Sequence, residues 1–330
     1  MTLLIAGLLA GFLLLAWSAD RFVFGAAATA RNLGVSPLVI GLTVVGFGTS
    51  ATELLVSAVA AWQGNPGLAL GNAVGSNIAN IGLVLGAAAL VRPLAVRSGI
   101  LRREYPLMLA TLLAAYAVLA DGRLTRLEGV ALLAGLALLI GWTVRMGLRG
   151  RGDHRPADVL EREYRAELPP PVATRSALFW LAAGLLLLLA SSKLLVWSAT
   201  GLARHFGVSE LVIGLTIVAF GTSLPEVATS VAGTLKGEDD IAVGNVVGSN
   251  MFNMLGVIGV AGILAPVQVA ADLLWRDFPL MLALTLGLLV TAWRRRATAR
   301  INRWQGGLLV GAYLAYLALL GGLLPVPAGP

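Results

Sequence analysis

A gap-free internal repeat constrains this 330-residue chain more than any other feature. Gly41 to Asn80 reads GLTVVGFGTSATELLVSAVAAWQGNPGLALGNAVGSNIAN, and Gly214 to Asn253 reads GLTIVAFGTSLPEVATSVAGTLKGEDDIAVGNVVGSNMFN. A constant shift of 173 residues lays Thr49 on Thr222, Glu53 on Glu226, Asn72 on Asn245, Ser76 on Ser249 and Asn80 on Asn253, with about half of the pairs identical. The same shift carries Ala30-Arg31 onto Ala203-Arg204, and Arg103 to Ala110 onto Arg276 to Ala283. The chain is a duplication, and each half is one structural unit.

Those halves belong in a bilayer. Hydrophobic residues make up 58% of the chain and charged ones 12%, with a mean hydropathy of +0.85, well beyond the range of a soluble domain. Apolar runs fall at 2–24, 35–62, 67–91, 104–120 and 127–147, then at 176–200, 208–235, 240–265, 277–293 and 303–324. A hydrocarbon core about 30 Å thick needs about 20 helical residues per crossing, so the sequence predicts an all-α integral membrane protein of ten transmembrane helices. The first run starts at Thr2 without a basic region ahead of it, which predicts a retained helix rather than a cleaved signal. Residues 1–147 form the first unit, 148–175 a polar linker closed by Pro169 to Pro171, and 176–330 the second unit.

An odd number of crossings per unit makes the second unit enter from the opposite side, giving an inverted-topology repeat. The net charge of +7 is a topology signal rather than a nucleic-acid surface, because the arginines lie between apolar runs. Loops after odd-numbered runs collect Arg21, Arg31, Arg92, Arg97, Arg102, Arg103, the linker arginines, Lys236, Arg294, Arg295, Arg296, Arg300 and Arg303. The other loops hold Arg123, Arg126, Arg204 and Arg276. The positive-inside rule then predicts an inner-membrane protein with a cytoplasmic linker and both termini outside. With no cysteine, disulfides and thiolate metal sites are excluded, and the two histidines, His154 and His205, fall in loops. Asp20 and Lys193 correspond under the shift and are expected near helix ends, with their charges reaching the headgroups.

A carboxylate within a span costs about 2.5–3.5 kcal/mol on insertion scales and is a site by default. One such glutamate is as compatible with a protonated helix contact as with function. Two related by symmetry, Glu53 and Glu226, each preceded by hydroxyls at Thr49-Ser50 and Thr222-Ser223, favour function. Helical spacing puts each trio on one face, and the following helices carry Asn72, Ser76, Asn80 and Asn245, Ser249, Asn253 at i, i+4, i+8. All are oxygen donors, suited to hard cations such as Ca²⁺ and Na⁺. Gly71, Gly75, Gly244 and Gly248 have the spacing of close helix packing, and Asn245 and Asn250 fit either packing or ligation. Gly46, Gly48, Ala219, Gly221 and Pro225 weaken helix just before each glutamate, where a break frees carbonyls.

At these residues, GTSATE with GNAVGSNIAN and GTSLPE with GNVVGSNMFN, the sequence resembles the cation/Ca²⁺ exchanger superfamily over nearly its whole length, and its prokaryotic Na⁺/Ca²⁺ exchanger branch most. The resemblance implies ten helices, alternating access and four cation positions at the midplane. The implied ligands are Gly46 and Ala219 through their carbonyls, with Thr49, Ser50, Glu53, Ser76 and Asn80 from the first repeat and Thr222, Ser223, Glu226, Ser249 and Asn253 from the second. The chain departs from the family pattern at Ala51-Thr52, where Leu-Pro is usual, and at Asn253, where aspartate is common in prokaryotic relatives. The cation/proton branch is less similar, since its Gly-Asn-Ala-x-Glu stands here as Gly71-Asn72-Ala73-Val74-Gly75.

The function expected is Na⁺/Ca²⁺ antiport, with no enzymatic activity, no cofactor and no nucleic-acid or protein partner beyond the lipid bilayer. Ca²⁺/H⁺ antiport by the same glutamates is the alternative. A channel stands further off, as does an intramembrane enzyme, whose acid and base need different environments.

Overall fold

The computed structural model describes residues 1–34, 48–96, 104–149, 172–236, 239–293 and 299–322, and these are almost entirely helical. Helix α1 is Thr2–Asn32, α2 is Ala51–Trp62 and α3 is Pro66–Val91. Helix α4 is Tyr105–Leu119, α5 is Arg126–Arg149 and α6 is Thr174–Phe206. Then come α7, Glu210–Thr222, and α8, Leu224–Lys236. Helix α9 runs over 239–264, α10 over 273–293 and α11 is Arg303–Gly322. Six of these are long and apolar enough to cross a membrane, and α7 with α8 makes a seventh span bent by 40°. Helices α2 and α4 are shorter apolar helices. The run expected at 35–62 enters the described residues only at Gly48, and 150–171 of the expected linker lie outside them.

Burial sorts the helices into a centre and a periphery. In α3 and α9 the most apolar windows are 78% and 83% buried, whereas those of α1, α5, α6 and α11 are 22–33% buried. A hydrophobic sequence pays no cost for facing lipid, so the outer helices leave Leu3, Leu13, Leu127 and Leu138 on the surface. The inner pair carries small residues in place of bulk. A Cβ on Gly75 would stand 2.7 Å from the Leu215 carbonyl, and one on Gly214 would meet the Leu68 carbonyl at 2.5 Å, so α3 and α7 touch backbone to backbone.

The α1–α6 pair reports the symmetry. Gly7 faces Ser198, Gly11 faces Leu195, Ser18 meets Ser191 at 3.4 Å and Gly25 faces Leu181, so residue numbers rise on one helix as they fall on the other. Ser18 and Ser191 are 173 residues apart, and the Gly11–Leu195 contact is matched by Gly184 against Phe22. Helices α1 and α6, equivalent under the shift, therefore run antiparallel about a local two-fold axis.

Some features differ from the sequence-based expectation. Helix α1 continues to Asn32 rather than ending near 24, so Asp20 and Lys193 lie inside α1 and α6, exposed on the outer surface, and not at helix ends. Two short antiparallel strand pairs tie loops together: β1, Leu94–Val96, on β4, Ala299–Ile301, and β2, Arg123–Leu124, on β3, Val267–Gln268. At the start of α10 the buried Asp277 is held by Arg276 at 2.8 Å and 3.1 Å and by the Tyr316 hydroxyl at 2.9 Å, clamping α11 to α10.

Candidate cation site

Both glutamates sit in the first turn of a helix that follows a break. Residues 48–50 form a turn before α2, and Ser223 separates α7 from α8. The two break residues share one conformation, φ −77°, ψ 0° at Ser50 and φ −84°, ψ 1° at Ser223. The break therefore does not need Pro225, whose counterpart is Thr52. A first-turn carboxylate also faces the positive end of its helix, which favours a negative charge there. Glu53 and Glu226 are both fully buried.

Side chains from the two repeats interlock around them. The Thr222 hydroxyl donates to Asn72 Oδ1 at 3.0 Å, and its repeat mate Thr49 donates to Asn245 Oδ1 at 3.2 Å. Asn72 Nδ2 donates to Ser57 Oγ at 2.9 Å and to the Glu53 carbonyl at 3.3 Å, and Asn245 Nδ2 to Ser230 Oγ at 3.5 Å. Asn72 and Asn245 thus spend both ends of their amides on protein partners and serve as scaffold. Ser76 is 3.4 Å from Thr222 Oγ1. Thr49 and Ser249 lie beside Glu226, and Thr222 beside Glu53. The cover is uneven: Thr222, Asn72, Gly71 and Gly75 are buried, while their mates Thr49, Asn245, Gly244 and Gly248 are half-buried.

Four asparagines meet on the two-fold. Asn253 Nδ2 donates to Asn77 Oδ1 at 3.0 Å, and Asn80 Nδ2 donates to Asn250 Oδ1 at 3.0 Å. Asn77 Nδ2 donates to the Asn250 carbonyl at 3.1 Å. With their NH₂ groups committed, Asn80 and Asn253 have their Oδ1 atoms left over. A single-turn π-helix begins at each, Asn80–Leu85 in α3 and Asn253–Val257 in α9, a distortion that recurs at functional sites.

Buried side-chain oxygens without a hydrogen-bond partner gather in this region: Ser50 Oγ, Glu53 Oε1, Asn80 Oδ1, Ser223 Oγ, both carboxylate oxygens of Glu226, Ser249 Oγ and Asn253 Oδ1. Each unpaired buried polar group costs about 1–3 kcal/mol, more when charged, so a cluster of this size calls for bound cations or water to answer it. Among the described residues there is no group of three His, Cys, Asp or Glu, so hydroxyls and amides must complete any coordination.

Of the residues expected from sequence, Thr49, Ser50, Glu53, Ser76, Asn80, Thr222, Ser223, Glu226, Ser249 and Asn253 lie in this region. Gly46 lies outside the described residues. The Ala219 carbonyl is not freed by the break, because the Ser223 N–H donates to it at 3.1 Å, which leaves one lone pair for a cation. Sequence reasoning missed Ser57, Asn77 and Ser230. Ser57 and Ser230, like Asn77 and Asn250, are identical across the repeat, and that identity was the available signal.

The chain is similar to known proteins over nearly its whole length. A model of the family described as sodium/calcium exchanger protein matches residues 3–145 and 176–322. The chain is 53% identical to the putative antiporter CaxA of Alkalimonas amylolytica over 94% of this chain and 97% of that one. It is 43% identical to the inner membrane protein YrbG of Escherichia coli K12, over 99% of each. A solved structure of the sodium-calcium exchanger NCX_Mj soaked with Na⁺ and Ca²⁺ superposes with a TM-score of 0.63 at 32% identity, covering 96% of this chain and 98% of that one. Duplicated glutamate motifs, a bent span and these likenesses lead to one conclusion: the chain belongs to the sodium/calcium exchanger family, as an antiporter of its prokaryotic branch.

Proposed function

We propose that the chain exchanges Na⁺ for Ca²⁺ across the inner membrane through ten crossings arranged as two inverted five-helix units. Glu53 and Glu226 supply the charge that both ions compete for. Thr49, Ser50, Ser76, Asn80, Thr222, Ser223, Ser249 and Asn253 supply neutral oxygens, with the carbonyls of Gly46 and Ala219. The observation that carries this reading is the overlap of two sets. Seven of the residues named as ligands, Ser50, Glu53, Asn80, Ser223, Glu226, Ser249 and Asn253, are among those whose buried side-chain oxygens have no hydrogen-bond partner, the others among the described residues being Thr29, Ser198, Asp239 and Tyr313. Hard oxygens in this number suit Ca²⁺, which takes six to eight, and leave a soft-metal reading without donors.

The antiparallel pairing of α1 with α6 supports alternating access, since two inverted units can exchange conformations about a fixed site. The experiment is ⁴⁵Ca²⁺ uptake into proteoliposomes loaded with Na⁺, K⁺ or a proton gradient. Stimulation by internal Na⁺ alone is the expected result. Stimulation by protons alone would replace Na⁺ by H⁺ as the coupling ion, and uptake without any counter-ion gradient would make the protein a channel.

A further inference from the structure

Immediately before each glutamate the two repeats differ, Thr52 against Pro225, and the difference alters what each glutamate has to offer. Thr52 is fully buried. Its hydroxyl lies 2.6 Å from Glu53 Oε2, 2.9 Å from the Thr49 carbonyl and 3.3 Å from the Thr222 carbonyl. A hydroxyl has one proton to donate, and an ionised carboxylate at 2.6 Å is the strongest of the three acceptors. Pro225 has neither a hydroxyl nor an N–H. Accordingly Glu53 has one carboxylate oxygen engaged at hydrogen-bond distance and one without a partner, whereas neither oxygen of Glu226 is so engaged, the Thr49 and Ser249 hydroxyls lying beside it without hydrogen-bond geometry.

We infer that Thr52 is a positioning residue that makes the glutamates unequal cation ligands, restricting Glu53 to one oxygen and leaving Glu226 to chelate with two. The inference rests on the cation-exchange reading of this site. Carboxylates bind Ca²⁺ in either mode, so the cage tolerates the asymmetry. The hydroxyl reaches both the Thr49 carbonyl of its own break and the Thr222 carbonyl of the other repeat, so it also fixes Glu53 relative to the turn that carries Glu226.

Infrared difference spectra of Ca²⁺ binding to the purified full-length protein separate the two modes, because unidentate and bidentate carboxylates differ in the splitting of their stretching bands. Wild type is expected to show one carboxylate of each class. Thr52→Val, which keeps the shape and deletes the hydroxyl, should lose the unidentate class and raise the Ca²⁺ Kd about tenfold. Thr52→Ser should restore both. If the valine variant does not fold, Thr52→Ala carries the same comparison. An unchanged pair of bands in Thr52→Val, or a serine variant no better than valine, would overturn the role given to Thr52 while leaving the exchanger reading in place. No Ca²⁺-induced carboxylate band in wild type would overturn the cation site itself, and this inference with it.

Discussion

Glu226 offers two buried carboxylate oxygens and Glu53 one, and each is one charge of the two available to balance a divalent ion. Glu53→Gln and Glu226→Gln keep the shape and delete the charge, and dipoles replace a carboxylate poorly at the midplane, so each should abolish Na⁺-driven Ca²⁺ uptake in protein that still inserts. Near-normal uptake by both well-folded variants would place the site elsewhere. One shell further out, Asn77→Ala removes the acceptor of the Asn253 amide and should raise the Ca²⁺ KM about tenfold, the worth of one buried hydrogen bond, with little change in maximal rate. At this scale most of the site was legible, because a carboxylate in an apolar run stands out and the repeat shows it twice. Asn77 was not, since an amide that orients another amide looks in sequence like any polar residue on a helix. Asn72 was legible as an oxygen donor, yet its oxygen goes to Thr222, a choice made by the packing of α3 against α7.

Among the elements, the breaks and the close contacts answer to different rules. Proline explains the second break but not the first, where Thr52 occupies the same place and Ser50 still takes the conformation of Ser223. Tertiary packing therefore sets the turn at Ser50, which is why composition around Glu53 read only as weak helix. The π-turns at Asn80 and Asn253 left no trace in the apolar pattern either, because one extra residue per turn shifts a face without altering its hydrophobicity. By contrast, the packing glycines of α3 were readable from their spacing. The α1–α6 contact gives a test. A Cβ at Gly25 would run into the backbone of Leu181, which cannot move aside as a side chain would, so Gly25→Val should lower detergent-solubilised stability by about 1–3 kcal/mol. Gly287 in α10, with nothing among the described residues within 4 Å of an added Cβ, should accept alanine without loss. Equal melting temperatures for the two variants would mean that α1 and α6 do not pack as described.

Across the whole molecule, duplication and arginine bias make a topology that can be tested directly. Single cysteines at Gln63, in the exposed turn after α2, and Arg92, exposed after α3, should label from opposite sides of the membrane, Gln63 from outside intact cells. Labelling of Arg92→Cys from outside would invert the orientation. Charge sets a second test. With Asn253 neutral, the cage balances one Ca²⁺, and three Na⁺ would leave about one positive charge in excess, on which the membrane potential acts at about 2.3 kcal/mol per 100 mV. An inside-positive potential should therefore speed Ca²⁺ entry into Na⁺-loaded vesicles, and indifference to potentials of both signs would favour two Na⁺ per cycle. Among the described residues no lysine, arginine or histidine is buried, so no full positive charge among them offsets Glu53 and Glu226. Two like charges in a low-dielectric interior repel each other and lose their hydration, so a conformational change with the cage bare climbs a steep electrostatic barrier. The return stroke is then expected to carry a passenger, a metal cation or a proton, and slippage to be suppressed by the same pair of acids proposed to do the binding.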